Sequence, residues 1–183
     1  MRENLDTALS HVFQEEGGFA QRATEPGGSV NMGISQQTLA AWNHSHGLPV
    51  PTVQDVKDMS KDTATQIYVF WYASPVHFND LPSGVDLAVL DCGVNMGVAG
   101  SLKILALGVG HSYPIGGHVD QATIVLQLVK TALSGGLKTS VLVDKICDLW
   151  LDDKRRRKEW KQFGKGWTSR IEQVRTHAKE LTK

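Results

Sequence analysis

The chain of 183 residues is long enough for one domain with a sizeable core, or for one domain with a small appendage. Its hydrophobic fraction of 41% and charged fraction of 21% are those of a globular protein, which excludes disordered and fibrous classes. Because 19 basic residues balance 19 acidic ones, the net charge is zero and gives no reason to propose a nucleic-acid partner.

The N-terminal residues carry acidic side chains where a signal peptide has an uninterrupted apolar stretch. No segment approaches the roughly 20 apolar residues that a membrane-spanning helix needs. We therefore expect a protein made in the cytoplasm, which requires a separate release step if its substrate lies outside the cell.

The cysteines and histidines do not form a pattern typical of a metal site. Cys92 and Cys147 are far apart, and each lies in an apolar run, so we interpret them as two buried free thiols, with a disulfide left open. The seven histidines have no companion ligands at a suitable spacing. We predict that the protein binds no metal.

The first predicted element is an amphipathic helix. Its apolar residues follow a spacing of three and four: Leu5, Ala8, Leu9, Val12 and Phe13. Asn4 or Asp6 is the expected N-cap, and Gly17 ends the helix. Residues 20–34, rich in Gly, Thr, Ser and Pro, indicate a loop or a short irregular hairpin.

Helices continue to dominate the rest of the chain. Ser35, Thr52 and Ser60 are expected to cap three short helices, ending near Trp42, near Met59 and before Pro75. The apolar stretch 85–107 predicts one buried helix or a pair broken near Gly97–Gly100. Further helices are predicted over 120–133, with Asp120 as cap, over 139–161, and at the C-terminus. Since strand-like alternation is scarce, the prediction is an all or mainly α fold.

Glu16 is the first candidate for chemistry. At 100° per residue it lies about 20° from Leu5 around the first helix, near the middle of the apolar stripe. A carboxylate there is costly unless it is paired or protonated, and the negative end of the helix macrodipole adds to that cost. Both effects favour the protonated carboxyl, the form that a glycosidase general acid needs. Alternatively, the helix frays at Gly17 and Glu16 turns to solvent.

The segment that follows carries a family resemblance. Glu16-Gly17-Gly18-Phe19 precedes a second motif, Glu25-Pro26-Gly27-Gly28-Ser29-Val30-Asn31-Met32-Gly33-Ile34-Ser35. Together they resemble the signature of glycoside hydrolase family 108, which is E-G-G-Y followed by D-P-G-G-x-T-N-x-G-I-T. Similar matches follow in family order at 67–72, 81–86, 91–97, 117–123 and 163–171. Departures from the pattern fall at Phe19, Glu25, Val30 and Ser35.

The resemblance implies a phage or bacterial muramidase with a lysozyme-like helical fold. Residues 1–100 would form the catalytic core, and 101–183 a helical part resembling a peptidoglycan-binding region. The implied reaction is hydrolysis of the β-1,4 bond between N-acetylmuramic acid and N-acetylglucosamine, with Glu16 as proton donor and no cofactor. The implied context is an endolysin that acts on the cell wall as a monomer after release by a holin.

Glu25 is the candidate for the second catalytic group. It is the nearest downstream carboxylate and occupies the position of the family's Asp in the Gly-rich loop. It either serves as a general base or braces the loop by accepting backbone N–H bonds.

Five further residues are candidate substrate contacts, each with a structural alternative. Asn31 either binds an acetamido group or satisfies a turn, and Ser35 either contacts substrate or caps a helix. Tyr68 and Tyr72, with Trp71 between them, supply either a sugar-stacking surface or core. Asn95, one turn after Asp91, either reaches the cleft or is, like Asp91, buried and hydrogen-bonded.

Alternatives also remain for the surface and for the function. The basic run Lys154–Lys158 is either a solvated helix face or a contact to the anionic cell wall or membrane. The same helical frame would also suit a chitinase-like hydrolase, a lytic transglycosylase or a wall-binding protein without turnover.

Overall fold

A computed structural model describes residues 2–21, 27–114 and 120–183 of the chain. Helices account for 72% of it and the fold is lysozyme-like, so the prediction of a mainly α protein is confirmed. The α-helices, in chain order, are α1 (Arg2–Glu16), α2 (Gln36–Ser45), α3 (Val53–Lys57), α4 (Lys61–Tyr68), α5 (Val85–Met96), α6 (Val98–Gly108), α7 (Gln121–Ser134), α8 (Thr139–Arg155) and α9 (Trp160–Glu180).

The chain divides into two compact units. The hairpin unit comprises Leu9–Trp71, and the helix unit comprises Met1–Ala8 together with Tyr72–Lys183. The boundaries therefore fall within α1 and after Trp71. The division predicted at residue 100, between a catalytic core and a wall-binding region, is a functional one and stays a prediction.

The start of α1 differs from the prediction, whereas its end does not. The helix begins at Arg2, so Asn4 and Asp6 lie inside it and neither is the N-cap. Asn4 Nδ2 instead donates to Ser83 Oγ at 2.7 Å and to Asp86 Oδ2 at 2.9 Å, a tertiary contact that local sequence does not reveal. Gly17 ends the helix with a φ of +73°, as predicted.

The hairpin predicted before residue 35 is present in the described part of that segment. Strand β1 (Val30–Asn31) pairs antiparallel with β2 (Ile34–Ser35), with Val30 opposite Ser35. Met32 and Gly33 form the turn between them with φ values of +49° and +75°. Positive φ at both central residues is typical of the type I′ turn, whose twist suits a two-residue hairpin.

The three predicted caps of the hairpin unit are confirmed. Ser35 accepts from the backbone N–H of Thr38, and Ser60 caps α4 in the same way through Thr63. Thr52 forms a capping box with Asp55. After α4 the chain continues as a π-helical turn over Val69–Ala73, followed by 3₁₀ turns over Ser74–Val76 and Phe78–Asp80.

The helix unit is built around α5, which is buried from Val85 to Gly93. Gly97, with a φ of +85°, separates α5 from α6, which confirms the predicted break in the apolar stretch. Trp150 of α8 lies in the core of this unit and has the largest fully buried side chain among the described residues. Cys92 and Cys147 are buried and free, as predicted, and burial raises the pKa of the Cys147 thiol to about 12.

The predicted helix over 139–161 is too long. Helix α8 ends at Arg155, and the chain turns over residues 156–159 before α9 begins at Trp160. This turn contains neither glycine nor proline, so local sequence does not mark it; the packing of α9 along α8 requires it. Asp120 caps α7 by accepting from the backbone N–H of Ala122, as predicted. No helix in the described ranges is long and apolar enough to span a membrane.

Candidate active site

Glu16 is the last residue of α1 and is half-buried. The tip of the hairpin lies directly against its side chain. A Cβ atom at Gly33 would stand 2.8 Å from Glu16 Cγ and 2.9 Å from Glu16 Cβ, closer than any real side chain tolerates. The absence of a side chain at Gly33 therefore lets the turn hold the stem of Glu16 in place.

Tyr68 supports the same hairpin tip from within the core. Its hydroxyl donates to the carbonyl oxygen of Met32 at 2.8 Å, and its ring packs edge-on against Phe13 at a centroid distance of 5.5 Å. Only 2% of Tyr68 is exposed, so little of the ring faces solvent. These contacts match the core alternative, and a substrate contact by Tyr68 stays a prediction.

Asn31 and Ser35 make hydrogen bonds that fix the hairpin to neighbouring helices. Asn31 is buried, and its Nδ2 donates to the carbonyls of Val56 and Lys57 at the end of α3, both at 3.0 Å. Ser35 Oγ accepts from the backbone N–H of Thr38 at the start of α2, at 3.1 Å. Both side chains thus have structural roles, and their contacts to substrate stay predictions.

The remaining candidates lie elsewhere. Glu25 falls outside the described residues, so its role as base or brace stays a prediction. Tyr72 and Asn95 belong to the helix unit and are half-buried. Asn95 Oδ1 is buried without a hydrogen-bond partner among the described residues, and the choice between the cleft and a structural role for Asn95 stays a prediction. Asp91 is buried and accepts from Arg170 Nε at 2.7 Å, which confirms its structural role.

The hairpin unit also exposes the ring of Phe70, which sequence reasoning missed, beside that of Trp71. Phe70 is 49% exposed and Trp71 is 39% exposed, and the two rings meet edge-to-face at 4.8 Å. Phe70 also contacts the buried Trp42 at 5.7 Å. The available signal was the position of Phe70 two residues after Tyr68, because residues two apart on a helix point to different faces.

Two comparisons with known proteins give matches. The family model described as glycosyl hydrolase 108 matches residues 9–97. A solved structure of SagA from Brucella abortus is 33% identical, with a TM-score of 0.80 over 100% of this chain and 98% of that one. The chain belongs to glycosyl hydrolase family 108. Among curated proteins there is no match.

Family membership makes this protein a glycoside hydrolase and supports peptidoglycan as its substrate. The matched region of the family 108 chain takes in the hairpin unit and α5. Every candidate catalytic and substrate-binding residue lies within that match. Among the described residues, no group of three or more His, Cys, Asp or Glu side chains is arranged to hold a metal ion.

In this family 108 member the basic run Lys154–Lys158 does not form a single solvated helix face. Lys154 is buried, with its amine 4.9 Å from the centre of the Trp167 ring, and burial lowers its pKa. Arg155 and Arg157 form ion pairs of 3.0 and 2.9 Å with aspartates of α8. Much of the charge that the run shows in sequence is therefore buried or locally neutralised.

Proposed function

We propose that the protein is an N-acetylmuramidase that hydrolyses the β-1,4 bond between N-acetylmuramic acid and N-acetylglucosamine, with Glu16 as its proton donor. The observation that carries the proposal is the contact between Gly33 and the stem of Glu16. A catalytic acid must be held in a fixed position relative to the bond it protonates, and this contact restrains a glutamate at a helix end.

In the proposed reaction the Glu16 carboxyl donates its proton to the glycosidic oxygen as the bond from that oxygen to the anomeric carbon breaks. Positive charge develops on the sugar ring as in an oxocarbenium ion. A water molecule adds to the anomeric carbon, and its proton passes to a base. Glu25 is the proposed base, with bracing of the loop as its alternative role.

The test is turnover of purified peptidoglycan by the Glu16→Gln variant. Replacing a catalytic acid lowers the rate by roughly 10²-fold or more. The melting temperature should stay near that of the wild type, because Gln preserves the shape of the side chain. Glu15→Gln is the matched control, since Glu15 is the preceding half-buried carboxylate of the same helix, and it should keep activity. Full activity in Glu16→Gln would refute the assignment.

The chemistry of the chain ends released from peptidoglycan identifies the bond that the enzyme cleaves. Reducing N-acetylmuramic acid ends support the muramidase, whereas reducing N-acetylglucosamine ends place cleavage at the other linkage. Anhydro-muramic ends would identify a lytic transglycosylase, and cleavage of chitin in preference to peptidoglycan would identify a chitinase-like enzyme. Binding to peptidoglycan without release of new chain ends would identify a wall-binding protein without turnover.

We further propose that the enzyme acts as an endolysin, made in the host cytoplasm and reaching the cell wall as a monomer once a holin opens the membrane. Cytoplasmic expression should then lyse cells only when a holin is produced with it. Lysis at the same rate without a holin would contradict this role and leave the muramidase assignment intact.

A further inference from the structure

The apolar stripe of α9 is covered along most of the helix but not in its first two turns. Its buried members are spaced three and four residues apart: Ile171, Val174 and Ala178. The same spacing continues towards the start of the helix through Trp167, Phe163 and Trp160. There Phe163 is 47% exposed, and the two tryptophans are only half-buried. The stripe therefore ends in an apolar surface that the described residues leave uncovered.

The three rings of this surface, which we call the aromatic ridge, pack against one another. The centroids of Phe163 and Trp160 lie 5.9 and 6.3 Å from that of Trp167. Trp160 also lies against Gly164, where an added Cβ would stand 2.8 Å from the indole. The amine of Lys154 lies 4.9 Å from the centre of the Trp167 ring. Because the rings are already restrained, a contact through them costs less conformational entropy than one through free side chains.

Positive charge is concentrated around the aromatic ridge. Residues 154–165 contain seven of the 19 basic residues of the chain and one of its 19 acidic residues, Glu159. Since the whole chain is neutral, the remainder is net negative. Four of the seven cations are exposed and form no ion pair within the described ranges: Arg156, Lys158, Lys161 and Lys165. These four charges are therefore available to an anionic partner.

The cations and the rings occupy neighbouring sides of the same corner. At 100° per residue, Lys161 and Lys165 lie about 100° and 140° from Trp160 around α9. Arg156 and Lys158 lie in the turn that leads into the helix. Aromatic residues on one side and basic residues on the next are typical of helices that lie in a bilayer interface. The rings enter between the headgroups there, while the long basic side chains keep their charges at the lipid phosphates.

We propose that the aromatic ridge and its four exposed cations dock the protein peripherally onto the surface of an anionic lipid bilayer. A bilayer presents an apolar layer beneath a plane of phosphates, so it matches both halves of this surface at once. Hydrated peptidoglycan presents no apolar layer and would leave the rings in contact with water. Docking of this kind does not depend on the proposed hydrolysis.

The first test measures the electrostatic half by cosedimentation at low salt with vesicles of equal parts phosphatidylglycerol and phosphatidylcholine. The wild type should bind these vesicles more tightly than vesicles of phosphatidylcholine alone. Lys161→Gln/Lys165→Gln should bind the anionic vesicles roughly tenfold more weakly, and the difference should shrink as salt is added. Lys103→Gln/Lys130→Gln removes two exposed lysines of α6 and α7 and should bind like the wild type. Equal binding by the two double variants would overturn the proposal.

The second test measures the apolar half with the same vesicles. Phe163→Ser should weaken binding about fivefold, because the exposed part of the ring can no longer leave water in the bilayer. Phe70→Ser is the matched control, since Phe70 is 49% exposed but belongs to the hairpin unit, and it should bind like the wild type. Wild-type binding by Phe163→Ser would show that the ridge does not enter the bilayer and would overturn the proposal.

The third test identifies the face that enters the bilayer. Phosphatidylglycerol with brominated acyl chains quenches the fluorescence of tryptophans that reach those chains. Trp160→Phe/Trp167→Phe should still bind vesicles but lose this quenching. Trp71→Phe removes a tryptophan of the hairpin unit that is 39% exposed, and it should keep the quenching. Quenching that survives in the double variant and disappears in Trp71→Phe would place a different face on the bilayer and contradict the proposal.

Purified peptidoglycan sacculi separate a bilayer contact from a cell-wall contact. The Lys161/Lys165 variant should bind sacculi as the wild type does. Weaker binding to sacculi with unchanged binding to anionic vesicles would make this corner a wall contact and overturn the proposal. Vesicle binding is measured without turnover, so a failure of the proposed hydrolysis would leave this result unaffected.

Discussion

Position 33 has no room for a side chain, because Glu16 and Tyr68 lie directly against it. Gly33 has a φ of +75°, and an added Cβ would meet both Glu16 and the hydroxyl of Tyr68. Backbone conformation and space thus both favour glycine at this position beside the proposed acid. A displacement of the catalytic group by only about 1 Å is expected to cost on the order of 10²-fold in rate.

We predict that Gly33→Ala lowers kcat by about this factor. Gly47→Ala is the matched control, because Gly47 also has a positive φ, +67°, but nothing lies within 4 Å of its added Cβ. Backbone strain should cost both variants about 1–2 kcal/mol, and Gly33→Ala should lose more because its Cβ also meets Glu16 and Tyr68. Only Gly33→Ala should lose activity, as measured by release of reducing ends. Similar turnover in the two variants would show that contact with Glu16 is unimportant.

The role of Glu25, as general base or as brace of the loop, can also be tested with a single substitution. If it is the general base, Glu25→Gln should lower kcat by roughly 10²-fold or more, while chitooligosaccharide binding changes little. If it braces the loop, the same variant should lower the melting temperature while kcat falls only modestly. Measuring kcat and thermal unfolding on this one protein distinguishes the two roles.

Asp91 and Arg170 join two elements of the helix unit, α5 and α9. Their 2.7 Å ion pair is almost fully buried, with 1% of the Asp91 side chain and 10% of the Arg170 side chain exposed. The pair Arg155–Asp152 is far more accessible, with 56% and 52% exposed. Removing one partner of a buried pair leaves an uncompensated charge, whereas an exposed charge remains hydrated.

We expect Arg170→Met to lower the free energy of unfolding by about 3–5 kcal/mol. Arg155→Met should lower it by no more than about 1 kcal/mol. Adding Asp91→Asn to Arg170→Met should recover part of the loss, because the buried negative charge is then gone. Urea unfolding measures all three, and equal losses for the two single variants would contradict this account of the pair.

The stability of the whole molecule should depend on pH through carboxylates with shifted pKa values. Burial acts to raise the pKa of Asp144, but Lys179 and Arg175 outweigh it and hold this pKa below its usual range. Burial raises the pKa of Asp86 despite hydrogen bonds from Asn4 and from backbone N–H groups. The two groups therefore affect stability with opposite signs.

For Asp144 the folded-state pKa lies below the unfolded one. Its contribution is present above the unfolded value of about 3.9 and is lost as pH falls through the folded pKa. The difference in unfolding free energy between the wild type and Asp144→Asn should therefore grow as pH rises across that window. For Asp86→Asn the corresponding difference should decrease as pH rises from about 3.9 through the raised folded pKa. Denaturant titrations between pH 2 and 7 test both signs.

Several features of this protein follow from its sequence alone. Ser35, Thr52, Ser60 and Asp120 cap the helices as predicted, because a cap depends on residues three or fewer apart. The mainly α fold follows from the spacing of the apolar residues. The break between α5 and α6 follows from Gly97, which interrupts a long apolar run. The resemblance to glycoside hydrolase family 108 likewise requires only short motifs in the right order, and these motifs single out Glu16.

Other features were decided only by tertiary structure. Asn4 lies inside α1 and donates to Ser83 and Asp86, some 80 positions away. The contact of Gly33 with Glu16, the bonds of Asn31 to the end of α3 and the burial of Lys154 beside Trp167 are equally remote from local sequence. Periodicity shows which face of a helix is buried, but not which atoms it meets there. Those partners are set by packing between segments that are distant along the chain.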